Sequence, residues 1–385
     1  MLLAFKDDYE YLAIVFPGAS NETIMFYFEL DEMITPVVHA LASREYIFAI
    51  LAIVTNFFHL IILLHKSLRS ISTNVIMAGI ALSDIFFPVY IVQAKVQNYL
   101  FSFCELLQTY FLVWTDLKLT SVTDFFRRTS SWLGICLAAV RVIVVTYPMN
   151  TRSITLSTTK SGFGIIFLIF LLSFPVTLCK NIQYELSASF GNEYFGADAC
   201  PQLGPDNSTL NIYISKEIKF LIANKAIVRR IYYLINSVLS KVIPCVCYPI
   251  LSFILLKIVF ESSRKQKALN KSTSHEKPTT VITLVTILYV FAEFPIGVYY
   301  LTQTFITSPG IVQILLSFYF IANCLYTILS STHLFINFFL SSQYRAAFRK
   351  VFLCGKAKQF LEPRLIRTPP LNSINSSQAR LPDVA

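Results

Sequence analysis

Long apolar runs alternate with short charged ones along this chain. Seven runs are long enough to cross a bilayer, at 46–65, 74–94, 117–147, 161–179, 231–258, 280–301 and 311–335; a membrane helix needs about 20 mostly apolar residues. The third run is polar in its first half. Segment 99–114 is also apolar, but it is short and contains Glu105 and Gln108, so it reads as a connecting helix lying along the outer surface. Residues 1–45 read as a segment preceding the bundle, and 341–385 as an amphipathic helix followed by a disordered tail. The fold class these runs predict is an all-α membrane protein, a bundle of seven transmembrane helices with a short cytoplasmic helix after the last one.

Composition removes the soluble alternative. The 385 residues are 55% hydrophobic and 14% charged, where a soluble domain carries about a quarter charged residues. The formal net charge of +10 is concentrated in particular loops. Lys66 and Arg69 follow the first run, Arg152 and Lys160 the third, Arg264, Lys265, Lys267, Lys271 and Lys277 the fifth, and Arg345, Arg349, Lys350, Lys356 and Lys358 the last. By the positive-inside rule these loops and the C-terminus face the cytoplasm. The N-terminal segment sets Asp7, Asp8, Glu10, Glu22, Glu29, Asp31 and Glu32 against Lys6 and Arg44 and reads as extracellular. Lys6, Asp7 and Asp8 also interrupt the start where a cleavable signal would be apolar. The 180–230 loop, with Lys216, Lys219 and Lys225, is the one dissenting outer loop. Basic charge confined to one membrane face gives no reason to invoke nucleic acid.

Ionisable residues inside apolar runs are the candidate chemistry, because charge at membrane depth is costly and faces protein or a watered cavity. The third run carries Asp124, Arg127, Arg128 and Arg141. Fourteen residues at about 1.5 Å and about 100° each put Arg127 roughly 21 Å from Arg141 and within roughly 40° of its direction, with Arg128 turned away. This predicts a ligand pocket at the outer end, involving Asp124, Arg127, Arg128, Lys241 and Glu293, and an effector contact at the inner end, involving Arg141, Tyr147 and Pro148. Glu293 in the sixth run needs a cation, and Arg127 is at similar depth; Lys241 in the fifth run is the reserve partner. Asn56, Asp84 and Ser130 form a polar core, read either as a structural hub of Asp84 with Asn56 or as a hydrated cation site of Asp84 with Ser130. No paired carboxylates, metal-spaced Cys/His groups or phosphate-cradling glycines occur, and His39, His59, His65, His275 and His333 are scattered. The chain therefore reads as no enzyme, without cofactor or metal. A polytopic transporter is the alternative, but the internal repeat common in transporters is absent from the sequence.

Four blocks resemble the nematode serpentine receptors of class W, which are rhodopsin-like G-protein-coupled receptors. They are Asn56 through Asp84; Arg127-Arg128-Thr-Ser-Ser-Trp132-Leu-Gly with Arg141 and Pro148; Thr286 through Gly297; and His333 through Arg345. Three departures stand out from rhodopsin-like receptors generally. Val140-Arg141-Val142 lacks the usual acid and aromatic, Ser330 to Leu334 replaces Asn-Pro-x-x-Tyr, and Glu293 replaces the tryptophan before the proline. The resemblance implies a multi-pass plasma-membrane receptor with its N-terminus outside, a lipid bilayer around it, a heterotrimeric G protein as partner, and a peptide or small-molecule ligand, such as an FMRFamide-like neuropeptide or an environmental cue. It also implies a disulfide from the second outer loop towards span three, Cys104 with Cys200, or alternatively Cys179 with Cys200. Asn21 and Asn207 stand in glycosylation sequons on the expected outer side. Cys354 follows a basic amphipathic stretch and is a candidate palmitoylation site.

Overall fold

The computed structural model describes residues 20–102, 105, 109–147, 149–190, 211–268, 276–305 and 309–352. Cys104, Pro148, Cys200, Asn207 and Cys354 lie outside the described residues. Helix α1 (Asn21–Ala42) precedes the bundle. Span one is α2 (Glu45–Leu63), and span two is α3 (Ser72–Phe86) with α4 (Val89–Leu100). Span three is α5 (Tyr110–Thr146); a short α6 (Thr151–Leu156) leads to span four, α7 (Thr159–Gln183). Strands β1 (Tyr184–Phe190) and β2 (Asn211–Glu217) form an antiparallel hairpin. Span five is α8 (Lys219–Ser237), a π turn (Val238–Val242) and α9 (Ile243–Ala268). Span six is α10 (Glu276–Phe305), and span seven is α11 (Pro309–Ser330) with α12 (His333–Leu340). Helix α13 (Ser342–Phe352) closes the described chain. Among the described residues, six helical stretches are long and apolar enough to cross a membrane; α10 completes the seven-helix bundle.

Two boundaries differ from the sequence reading, and the N-terminal segment adds a helix. Segment 99–114 is not one connecting helix: Tyr99 and Leu100 finish α4, while Tyr110 to Trp114 open α5. The apolar run is continuous in sequence, but the backbone is extended at Phe101, which ends α4, and at Thr109, which precedes α5. In that connection the Ser102 backbone N–H and hydroxyl both donate to Glu105 Oε2, at 2.8 and 2.9 Å, and hold this carboxyl below its ordinary range. Span five begins at Lys219, within the stretch read as loop. The N-terminal segment contains α1, whose Ile24, Tyr27 and Leu30 pack on Ile311 and Ile314 of span seven. Its acidic residues mask this apolar stripe in a residue count.

Bends in the spans have local causes. Pro88 has no N–H to continue the helix, so span two breaks between α3 and α4, and the Phe87 carbonyl accepts from the Thr123 hydroxyl at 3.0 Å. In span five the hydrogen-bond ladder widens: Ile243 N–H donates to the Val238 carbonyl five residues back. Span six holds Pro295 and then Gly297. A Cβ on Gly297 would lie 3.1 Å from Lys241 Cβ, so its bare backbone admits span five. There the Ser237 hydroxyl donates to the Gly297 carbonyl at 2.9 Å.

The interior is built of small clusters between spans. Ile76, Ile80, Leu133, Val140 and Ile169 join spans two, three and four. Phe87, Ala292 and Tyr326 join spans two, six and seven. At Gly134, Tyr248 of span five passes so close that a Cβ would lie 1.6 Å from its hydroxyl oxygen. Ile62, Leu63, Met77 and Ala78 pack on Tyr344 and Ala347 of α13, and the Tyr344 hydroxyl lies 2.6 Å from His59 Nδ1. Arg345 donates to the Phe338 and Phe339 carbonyls at 3.1 and 2.9 Å, capping the end of span seven.

Candidate functional site

Among the described residues, a cavity opens at each end of the bundle, with a layer of buried charge between the two. The layer centres on Glu293, whose side chain is fully buried. Arg127 Nε donates to Glu293 Oε1 at 3.2 Å, and Lys241 Nζ lies 3.1 Å from Oε2. Both cations named from the sequence contact the carboxylate at once, so spans three, five and six meet at one anion. The π turn brings the Lys241 stem against Gly297 and its amine to Glu293. Arg127 extends the layer further. Its Nη1 donates to Asn323 Oδ1 at 2.5 Å, and Asn323 Nδ2 donates to Glu45 Oε1 at 2.8 Å. Its guanidinium lies over the Tyr326 ring, 4.1 Å from the centroid, in cation–π geometry. Glu45, Asn323 and Tyr326 bring spans one and seven into the same network.

Arg128 points about 100° round span three from Arg127, as the helical period requires. Its Nε donates to the Ser240 hydroxyl at 2.7 Å, Nη1 to the Ser173 carbonyl and Thr177 hydroxyl at 3.1 Å each, and Nη2 to Asn236 Oδ1 at 3.1 Å. This cage of neutral acceptors ties span three to spans four and five. One turn earlier, Asp124 pairs with Lys180 of span four.

The first cavity, about 340 Å³, opens at the hairpin end. Asp116, Asp124, Lys180 and Asn236 line it, together with Tyr184, Tyr232, Tyr233, Tyr299, Tyr300 and Tyr319. Of the five residues read as a ligand pocket, only Asp124 is on this wall. Arg127, Arg128, Lys241 and Glu293 are buried beneath it, and Asn236 connects the Arg128 cage to the cavity.

The second cavity, about 400 Å³, opens at the α13 end and is lined by Asp84, Ser130, Arg141, Tyr248, His59 and His333 among others. The Ser130 hydroxyl donates to Asp84 Oδ1 at 2.7 Å, and His333 Nε2 lies 3.4 Å from Asp84 Oδ2. Asn56 is bonded elsewhere: its Nδ2 donates to the Ala52 and Ser330 carbonyls at 3.0 and 2.9 Å. Arg141 has no carboxylate partner among the described residues and donates to Met77 Sδ at 3.6 Å. Tyr147 is exposed at the end of span three. Cys179, the alternative disulfide partner, is a free thiol, and Asn21 is exposed at the start of α1. Among the described residues no His/Cys/Asp/Glu cluster has the geometry of a metal site.

Sequence reasoning missed Glu45, Asn323, Lys180, Asp116, and the pairing of His59 with Tyr344. The first four lie at span ends or are uncharged, so no burial cost marked them. His59 was visible only as one of five dispersed histidines.

Seven helices around a buried ionic layer, with a cavity at either end, define a serpentine receptor bundle. The chain belongs to the Srw family of serpentine type 7TM GPCR chemoreceptors, whose profile matches residues 43–355. This is a receptor family and not an enzyme family, and its members are multi-pass membrane proteins. The chain is also similar to the G-protein coupled receptor dmsr-1 of Caenorhabditis elegans, 23% identical over 245 residues. That alignment covers 61% of this chain and 45% of the relative, so the chain matches under half of the relative's length.

Proposed function

We propose that this receptor resides in the plasma membrane with its N-terminus and hairpin outside, binds a peptide ligand in the hairpin-end cavity, and activates a heterotrimeric G protein through the face around Arg141, Tyr147 and Pro148. The observation that carries this reading is Glu293 held between Arg127 and Lys241, 3.2 and 3.1 Å away, between the two cavities. A carboxylate shared by two cations from different spans can tighten on one at the expense of the other. A ligand that favours one pairing shifts the population of the bundle towards it. The differential affinity then appears at the opposite face as coupling to an effector. Basic charge in the loops at the α13 end agrees with a cytoplasmic location for that face.

The test is a signalling screen of a neuropeptide library in cells expressing the full chain with several G-protein subtypes. A peptide response that Arg141→Ala abolishes, at unchanged surface display and ligand binding, supports the reading. Normal signalling by Arg141→Ala, or no response from any peptide with any G protein, overturns it.

A further inference from the structure

The charges and rings of the hairpin-end cavity specify the chemistry of what it holds. Five of its tyrosines form one continuous surface: Tyr232 to Tyr233 at 5.6 Å between centroids, Tyr233 to Tyr300 at 6.5 Å, Tyr300 to Tyr299 at 5.5 Å, and Tyr299 to Tyr319 at 5.0 Å. Ring faces carry negative quadrupole potential and phenol oxygens add acceptors, so this wall favours a cation. Cavity carboxylates differ in how they are neutralised. Asp124 is matched by Lys180. Glu217, at the edge through Gln183, is matched by Arg229 at 3.0 Å. Asp116 receives the Tyr90 hydroxyl, and no cation among the described residues pairs with it. Arg128, held by neutral acceptors, lies beneath the Asp124 side of the cavity, so Asp116 is the lining carboxylate without a cation partner among the described residues, beside a wall of aromatic rings.

We propose that this cavity takes its ligand through a cationic group, a guanidinium or ammonium, which pairs with Asp116 and lies against the tyrosine wall. The inference rests on the reading of this cavity as the ligand site, and it adds the charge of the ligand and a specificity residue. The shared chemistry is the cation, which a peptide side chain or a free organic amine can supply. A volume of about 340 Å³ is at the small end of ligand pockets, enough for one or two side chains and not for a whole peptide.

The experiment uses the full chain purified in detergent micelles and reads its thermal unfolding midpoint. Probes are N-acetyl-arginine methylamide, its neutral citrulline counterpart, and phenethylamine, each titrated to the solubility limit. The expected result is a rise of about 2 °C or more with a cationic probe and none with citrulline. Asp116→Asn should abolish the rise and Asp116→Glu should retain it. Tyr299→Leu, which removes a ring and no charge, should weaken it, and serves if the Asp116 variants fold poorly. A larger rise with the arginine probe assigns a peptide source, and a larger rise with phenethylamine a free amine. Equal rises with arginine and citrulline, a rise retained in Asp116→Asn, or no rise with either cation would each overturn the proposal. Signalling is not read, so a cation response from a chain that activates no G protein overturns the proposed function and leaves this inference standing.

Discussion

Glu293→Gln exchanges one oxygen for an amide and removes both ion pairs of the central layer without changing side-chain volume. The loss it measures is therefore electrostatic, with no cavity contribution. Breaking one buried pair by removing a partner costs about 3–5 kcal/mol, mostly because a buried charge is left uncompensated. Here two cations are stranded, Arg127 at 3.2 Å and Lys241 at 3.1 Å from the missing carboxylate. Arg127 keeps Asn323 and the Tyr326 ring, which places the total near the upper end, about 5 kcal/mol. Either cation variant, Arg127→Gln or Lys241→Met, leaves the carboxylate with one partner and should cost less. At about 2 °C per kcal/mol, the unfolding midpoint of the purified receptor should fall by about 10 °C in Glu293→Gln and by less in each cation variant. Adding Lys241→Met to Glu293→Gln should cost nothing more, because it removes a stranded charge; adding Arg127→Gln also removes the contacts with Asn323 and Tyr326, and should cost less there than it does alone. Signalling should be damaged in each single variant, and no further in the doubles. A cation variant as unstable as Glu293→Gln, or additive losses in the doubles, would refute the three-way pairing.

Gly134→Ala should destabilise the bundle by about 1–3 kcal/mol, read as a lower unfolding midpoint, because its Cβ would lie 1.6 Å from the Tyr248 hydroxyl oxygen; adding Tyr248→Ala should recover part of the loss. Tyr344→Phe leaves His59 Nδ1 without its 2.6 Å partner, at a cost of about 1–3 kcal/mol, and hydrogen exchange of α13 should speed up while that of span six is unchanged. Endoglycosidase mobility shifts should diminish in Asn207→Gln and in Asn21→Gln and disappear in the double variant, with none from Asn270 or Asn375; a glycan on Asn270 would invert the orientation.

The spans, and the partners of Glu293, were legible because a charge in an apolar run has few ways to be accommodated. Arg127, Lys241 and Glu293 announce themselves by that cost. The Arg128 cage does not: Thr177, Asn236, Ser240 and the Ser173 carbonyl are neutral groups that any span carries, and which of them meet depends on the packing of spans three, four and five. Asn323 is similar, an amide whose link from Arg127 to Glu45 exists only once span seven is placed beside span one. Asp84 was recognisable as needing company, and Ser130 was named for it, but His333 arrives from a span more than two hundred residues away. The error over 99–114 has the opposite cause. Hydropathy is blind to a chain reversal when both arms are apolar, and the break shows only in the extended backbone at Phe101 and Thr109.

The widened turn at Val238–Val242 divides span five into two halves that are phased separately. Asn236 fixes the rotation of the first half through Arg128, and Tyr248 fixes that of the second by lying over Gly134. A regular α-helix would lock these two angles together at about 100° per residue. Span five thus holds one residue of slack in its length. Deleting Leu239 would tighten the ladder to the ordinary repeat and turn one half by about 100° against the other, so either the cage or the Tyr248 contact would have to let go.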